Sequence, residues 1–421
     1  MASRPSVAIL RRTCSIGTIS SMPVVHRARL HGPGGSDRMF LSDSHQPTRL
    51  TPRHYLDGNV TEREIERGFI PGWHLVGVSG EFPVDGGFRT ISILGRDIIL
   101  WRRGDRFVCF LNVCSHRFCA LTAAVKGRFR ERLRCQYHGW EYDESGQTRK
   151  IPDAPAFRPL EQGRLGLVEY PVATVGDLVF VSFHPAPETI ESFLGEAHSI
   201  CAERCGGDWE HVWSWEPTCD GNWKLAMEIT LEGYHTVAAH EGTLGRFPLP
   251  REEAMTHLFQ DDSHTGLMVG FSDSDHPEIS RTSRLIRRLG RTPEYVYHHQ
   301  HAFPHFGVIA SDAYAIAQAI YPVGPDRHVN LYRMFVYRGH RPSWRGRLLY
   351  PGHAAGLRGF WERVFAEDRA VTSEHHRGMS STVLPHGGLM SRREERIIHF
   401  QAYVLGISSD AVETAGSKPR V

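Results

Sequence analysis

The chain contains no apolar run approaching the eighteen or so residues that a bilayer-spanning helix requires, so no transmembrane anchor is expected. Neither sign of charge is in excess: 49 basic residues stand against 47 acidic ones, a net +2 with histidine neutral. No block of like charge marks a nucleic-acid partner. The eight cysteines form no disulfide framework of the kind found in small secreted domains, which fits a reducing compartment. A glycine-rich dinucleotide fingerprint between a strand and a helix is also missing, so any electrons drawn from NAD(P)H must arrive through another protein. Internal repeats and low-complexity tracts are absent. What remains is a globular chain of 421 residues, long enough for two domains.

The first 36 residues hold arginines at 4, 11, 12, 27 and 29, six serines and no acidic residue, the composition of an organellar transit peptide. An unstructured extension, or a start at Met22, is the plainer reading. Residues 1–45 are therefore set apart as an N-terminal extension, with a cytoplasmic location expected and an organelle as the alternative.

Two pairs of metal-type ligands stand out, Cys114-x-His116 and Cys135-x-x-His138. A thiolate and an imidazole offered together twice suit either a Cys₂His₂ zinc site or a [2Fe–2S] cluster with two cysteines on one iron and two histidines on the other. Structural zinc sites usually keep like ligands together, so mixed pairs favour the cluster. Strand-like runs at 73–78 and 88–94, a hairpin turning at Arg103-Gly104-Asp105 and a second turning at Asp143–Gly146 surround the pairs. A short helix, opened by a Thr61-x-x-Glu64 capping box and stopped at Gly68, precedes them. Cys119 reads as a small buried residue near the site. These motifs, with Arg117, Gly139 and Trp140, resemble the Rieske family.

A second stretch, NWKLAMEITLEGYHTVAAH at 222–240, places Glu228, Glu232 and His235 at spacings that share one face of an α-helix. His240 falls roughly 140° away on a regular helix, so a π-bulge or unwound turn near Thr236–Ala239 is needed to bring the two imidazoles together. Residues 357–376 carry a helical apolar stripe that includes Asp368, whereas Glu362, Glu367 and Glu374 lie off its centre as ordinary solvated carboxylates. A carboxylate on a buried face needs a partner: an arginine, His375 or a metal ion. Two histidines and one carboxylate form the facial triad of non-haem Fe(II) oxygenases.

Together the Asn222-Trp223-Lys224 lead, the acid-x-x-His-x₄-His motif and Glu367-Asp368 resemble the catalytic (alpha) subunit of the Rieske non-haem iron oxygenases, over roughly residues 50–400. The resemblance implies an α+β fold. It has a small all-β Rieske domain (46–171, with the N-terminal helix) and a larger catalytic domain (172–421), an antiparallel sheet wrapped by helices in the helix-grip, START-like manner. It also implies a [2Fe–2S] cluster on Cys114, His116, Cys135 and His138, and mononuclear iron on His235, His240 and Asp368. Glu232 would be the inter-subunit electron bridge of a head-to-tail homotrimer, and Glu228 a partner that orients it. O2 would be co-substrate, a ferredoxin or flavin reductase the electron donor, and a β subunit a compatible companion. The implied reaction is mono- or dioxygenation, or oxidative demethylation, of an aromatic or polycyclic small molecule. Most relatives have aspartate at the bridge; glutamate occurs in a minority that includes carnitine and choline oxygenases, which makes a quaternary-ammonium substrate the alternative. A Rieske electron carrier and a zinc-stabilised binding protein are the other readings. The segments 295–306 and 314–337, the latter a hairpin, are expected to line or support the substrate cavity.

Overall fold

The computed structural model describes residues 44–159, 165–247, 255–340 and 342–409; the arginine-rich start lies outside them. Strand β1 (Gln46–Pro47) leads into helices α1 (Pro52–Leu56) and α2 (Gly58–Glu64), and α2 runs on as a π-helical turn over Ile65–Phe69. The helix starts earlier than the capping box predicts. Asp57 is its cap, accepting from the Asn59 amide at 2.9 Å. Glu64 is not free to reach back to Thr61, because its carboxylate points into the core.

An all-β region follows: β2 (Trp73–Val78), β3 (Gly87–Ile93), β4 (Arg96–Arg103), β5 (Arg106–Leu111), β6 (Lys126–Arg128), β7 (Leu133–Arg134), β8 (Glu141–Tyr142), β9 (Thr148–Lys150), β10 (Glu169–Tyr170), β11 (Val172–Val175) and β12 (Leu178–Ser182). These strands make sheets of order β10-β5-β4-β3-β6, β7-β8-β9 and β11-β12-β2. Both expected hairpins form, β4–β5 and β8–β9. The strand after β11, β12, is hydrogen-bonded to β2. Beyond it come two helices, α3 (Ile190–Leu194) and α4 (Ala197–Arg204), separated at Gly195 with φ of 52°.

The larger region comprises β13 (Trp209–Trp215), β14 (Thr218–Asp220), α5 (Trp223–Thr230), α6 (Thr236–Ala239), β15 (Met255–Gln260), β16 (His264–Gly270), α7 (Pro277–Arg288), β17 (Val296–Ala302), β18 (Phe306–Ala310), β19 (Tyr314–Gly324), β20 (Arg327–Tyr337), α8 (Trp344–Met379), β21 (Leu389–Met390) and α9 (Glu395–Ser408). Its sheet is antiparallel, in the order β13-β20-β19-β18-β17-β16-β15, with β14 also on β20. Both faces are covered. On β19, Ala315, Ala317 and Ala319 alternate toward one core, where small side chains let helices approach closely. Ile316 faces the other core, built with Trp361, Val364 and Phe365 of α8. The α+β class and the helix-wrapped antiparallel sheet are as the sequence implies.

Two polar networks fix these parts to one another. Lys224 and Glu64 are fully buried and pair at 2.8 Å, with Trp223 Nε1 donating to the same carboxylate oxygen at 2.8 Å. Burial pushes Glu64 up and pulls Lys224 down, while their mutual attraction opposes both shifts. Buried Arg333 of β20 reaches Glu81 at 3.5 Å and pairs with Glu216, and Glu81 also binds Arg89 of β3 at 2.5 Å. That second network ties the all-β region to the large sheet.

Removing one member of a buried pair leaves an uncompensated charge. Lys224→Met should destabilise the protein by about 3–5 kcal/mol, read as a lower denaturant midpoint, and Lys224→Met/Glu64→Leu should recover most of the loss. Equal midpoints for the single variant and the wild type would remove this pair from the account.

Candidate metal centres

The first centre is made of two loops with the same backbone design. The amide of Cys114 donates to Cys119 O and that of Cys135 to Trp140 O, each at 2.8 Å; Phe118 N returns to Cys114 O and Gly139 N to Cys135 O. Both fourth-following residues, Phe118 and Gly139, take positive φ, 60° and 72°. Each turn holds its cysteine inward and its histidine outward. Cys114 and Cys135 are buried, His116 is half-buried and His138 exposed. The imidazole centroids lie 4.7 Å apart, and His116 stacks on buried Trp140 at 4.8 Å. Burial raises the Cys114 thiol, and the Tyr142 hydroxyl, 3.0 Å from its sulfur, opposes that rise. A buried thiol pair opposed by two outward imidazoles fits a cluster with thiolates on one iron and imidazoles on the other. Cys119, expected to be buried, is half-buried, and its thiol meets the Ala120 carbonyl.

The second centre depends on where α5 stops. Asn222 caps its start, accepting from Lys224 N at 3.0 Å, and the helix ends at Thr230 rather than running on to His235. The expected shared face of Glu228, Glu232 and His235 therefore does not form. Gly233 disfavours helix at this point, and Glu232 turns its carboxylate onto the amides of Tyr234 and His235, in the unwound stretch ahead of the new helical turn α6. The unwinding lies at 231–235, before the place expected for it, and Thr236–Ala239 is itself helical.

This break brings His235 and His240 together, with their Nε2 atoms 3.1 Å apart. Asp368 comes from the α8 stripe, one turn beyond Phe365, and its Oδ1 lies 3.0 Å from His240 Nε2 and 3.5 Å from His235 Nε2. All three ligand atoms fall within 4.8 Å of one another. Asp368 thus faces the two histidines and not His375. Each histidine is held from behind: His235 Nδ1 donates to Glu232 at 2.5 Å and His240 Nδ1 to Glu367 at 2.8 Å. With the proton on Nδ1, both Nε2 lone pairs point at the common centre. Glu367, expected to be a solvated carboxylate, also accepts from Thr243 Oγ1 at 2.5 Å. Its position beside Asp368 on α8 hid this role, because the second turn of chain at 240–243 that reaches it is remote in sequence.

Burial would strip His235 of charge, but hydrogen bonds with Asp368 and Glu232 prevail and hold it up to about 9. Burial likewise works to raise Asp368, and the two imidazoles overcome it, leaving the carboxyl below its usual range. The centre favours positive charge between its groups. Two imidazole nitrogens and a carboxylate oxygen converging within 4.8 Å of one another fit an Fe(II) facial triad. Glu228 lies elsewhere: it is buried, and its carboxyl takes Tyr55 Oη at 2.7 Å and Gln401 Nε2 at 3.0 Å instead of meeting Glu232.

Comparison with known proteins agrees with this division. Residues 72–171 match the Rieske [2Fe-2S] domain and residues 207–408 the ring hydroxylating alpha subunit (catalytic domain). The chain is 30% identical to the alpha subunit of biphenyl 2,3-dioxygenase from Rhodococcus jostii over 48% of this chain and 45% of that protein. It is 24% identical to the oxygenase subunit of glycine betaine monooxygenase from Chromohalobacter salexigens over 82% of each. The alignments with the dioxygenase alpha subunits span under half of those proteins' length. Among solved structures, the chain resembles a quaternary ammonium Rieske monooxygenase with a TM-score of 0.69, 19% identity and coverage of 87% of this chain and 96% of that one. Naphthalene 1,2-dioxygenase gives 0.66, 18%, 89% and 94%.

Two outcomes follow from this geometry. Asp368→Ala should lose the mononuclear iron and keep the visible cluster bands, and Glu367→Gln should weaken iron retention about 10- to 100-fold against a chelator; iron bound as tightly as in wild type would deny Glu367 its orienting role. Burial lifts Glu228 from 4.5 to about 7. Between those values the unfolded chain releases a proton that the folded one keeps, so this group costs stability as pH rises through the window and a constant amount above it. Glu228→Gln should flatten that part of the Tm–pH curve; an unchanged slope would contradict it.

Proposed function

The chain belongs to the catalytic alpha subunits of the Rieske oxygenases, and on that premise we propose that it uses O2 to hydroxylate a small organic molecule. Monooxygenation, dihydroxylation and oxidative demethylation all fall within the proposal, with an aromatic or polycyclic substrate as the first reading. Electrons would come from NAD(P)H through a separate ferredoxin or flavin reductase. The observation that carries the reading is the meeting of His235, His240 and Asp368 in a chain that also bears the two Cys–His loops.

Cys114, His116, Cys135 and His138 would hold the [2Fe–2S] cluster, and His235, His240 and Asp368 the iron. When bound, the cluster supplies single electrons and the Fe(II) a site for O2 activation. The chain's own residues do the rest. Glu232 and Glu367 keep the Nδ1 protons and so the aim of both imidazoles. The aromatic wall beside Asp368, formed by Trp213, Tyr332, Phe365 and Trp361, excludes water from that side. Tyr142, against the Cys114 sulfur, would tune the cluster's potential.

In a head-to-tail homotrimer, Glu232 would connect His235 to a cluster histidine, His116 or His138, of the neighbouring copy. Apolar side chains exposed at both ends of that route support the contact: Phe118 and Tyr137 on the cluster loops, Tyr234 and Val237 beside His235. The cytoplasm is the proposed location; no helix among the described residues is long and apolar enough to cross a membrane. A quaternary-ammonium substrate is the second reading. It is favoured by glutamate at position 232 and by the length over which the glycine betaine relative aligns.

The test is the reoxidation of the reduced cluster by O2 with substrate present. Loaded with saturating Fe(II), so that weaker iron retention does not confound the rate, Glu232→Gln should slow reoxidation about 10- to 100-fold, and reoxidation at the wild-type rate would end the bridging role.

A further inference from the structure

Helix α7 is basic on its outer face. Ser283, Leu285, Ile286 and Leu289 are buried, and on the side turned away from them Arg281, Arg284 and Arg288 form an exposed stripe at helical spacing. The helix carries one carboxylate, Glu278, in its first turn. Among the described residues none of these three arginines pairs with an acid. Arg284 donates to the Ser280 hydroxyl at 3.2 Å, whereas neighbouring Arg287 lies 3.5 Å from the Asp273 carboxylate and is neutralised by it.

The first turn of α8 is laid on the last turn of α7. The Ser343 amide donates to Arg288 O at 3.1 Å, Ser343 Oγ caps α8 by accepting from Gly346 N at 3.1 Å, and a Cβ at Gly346 would come within 2.9 Å of Arg288 O. With Gly346 fixed inward, Trp344 and Leu348, one turn apart, are turned outward. They are 69% and 72% exposed, and Leu349 beside them is 45% exposed. The Arg345 guanidinium lies 5.2 Å from the Trp344 ring centroid, and Arg347 is exposed as well. No acidic residue follows in α8 before Glu362. A lone exposed leucine is ordinary. Three large apolar side chains at one helix start, rimmed by Arg281, Arg284, Arg288, Arg345 and Arg347, mark a contact surface.

Charge and shape choose the partner. Two copies of so basic a face repel one another. A protein that donates electrons must reach the cluster loops at 114–140, and no residue of those loops belongs to this surface. An anionic bilayer meets both demands: tryptophan and leucine enter the boundary between headgroups and acyl chains without needing a pocket cut for them, while arginines bind the phosphates. We propose that the chain docks by this face on membranes with acidic headgroups. The contact is peripheral, since no helix among the described residues is long and apolar enough to cross a bilayer. It does not depend on which molecule the enzyme oxidises.

The test is sedimentation of the full, metal-loaded chain with vesicles of phosphatidylcholine alone and of equal parts phosphatidylcholine and phosphatidylserine. The wild type should sediment with the acidic vesicles and stay in solution with the neutral ones, and added salt should release it. Arg281→Gln/Arg284→Gln/Arg288→Gln should weaken binding about 100-fold, and Trp344→Ser/Leu348→Ser about 10- to 100-fold, each with the cluster spectrum and iron content of the wild type. No binding to acidic vesicles, equal binding to both kinds, or binding that either variant leaves intact would overturn the assignment. So would a change in the oligomer's mass in Trp344→Ser/Leu348→Ser, which would make this face an interface between copies. If the vesicles are ignored and the arginine variant instead slows reduction of the cluster by an acidic ferredoxin, the face docks a protein and the membrane assignment falls.

Discussion

Helix α5 can stop short at Thr230 because its other end is fixed. Lys224 and Trp223 are clamped on Glu64 in the core, and Asn222 caps the first turn, so the helix axis and its last residue are set before the chain turns. From there the backbone unwinds over five residues and rewinds as α6, with Glu232 accepting from the Tyr234 and His235 amides of the unwound stretch. The convergence of His235, His240 and Asp368 depends on that break: on an unbroken helix the two imidazoles would point roughly 140° apart. The N-terminal helices, remote in sequence from the centre, are thus part of its construction.

The same carboxylates serve structure and chemistry at once. Glu232 binds the backbone of the unwound turn, fixes the tautomer of His235 and is the proposed link to a neighbouring copy; Glu367 does the second of these for His240 and ties down Thr243. Two negative groups behind two imidazoles, with a third in front, create a position where positive charge is stabilised. The loops at 114–119 and 135–140 solve a different problem, that of holding thiols inside and imidazoles outside, and solve it twice with the same hydrogen bonds. One copy uses glycine at the left-handed position and the other uses Phe118, an exposed side chain in a backbone region that glycine occupies more readily.

Much of this was legible in the chain itself. The Cys–His spacing, both hairpins around it, the β19–β20 hairpin and the stripe that carries Asp368 are local patterns, and local patterns survive folding. The misreadings have a common cause. Thr61-x-x-Glu64 looked like a capping box and Glu228 like a partner of Glu232 because nearby residues were paired with one another. In the fold Glu64 belongs to Lys224, and Glu228 to Tyr55 and Gln401, across more than 150 positions. Glu367 reads as solvated for the same reason, since the histidine it orients lies 127 positions away. Sequence periodicity reports which face is buried, and tertiary contacts decide what that face meets.

The central claim is that one chain carries both a histidine-ligated cluster and a separate iron held by His235, His240 and Asp368. It is tested most directly by counting iron and acid-labile sulfide in protein purified without oxygen and resupplied with Fe(II), alongside the electron-spin spectrum of the reduced state. The account predicts three irons to two sulfides with the spectrum of a cluster bound by imidazole. Two irons to two sulfides after resupply would leave the second centre empty of the metal its geometry fits, and would contradict the account.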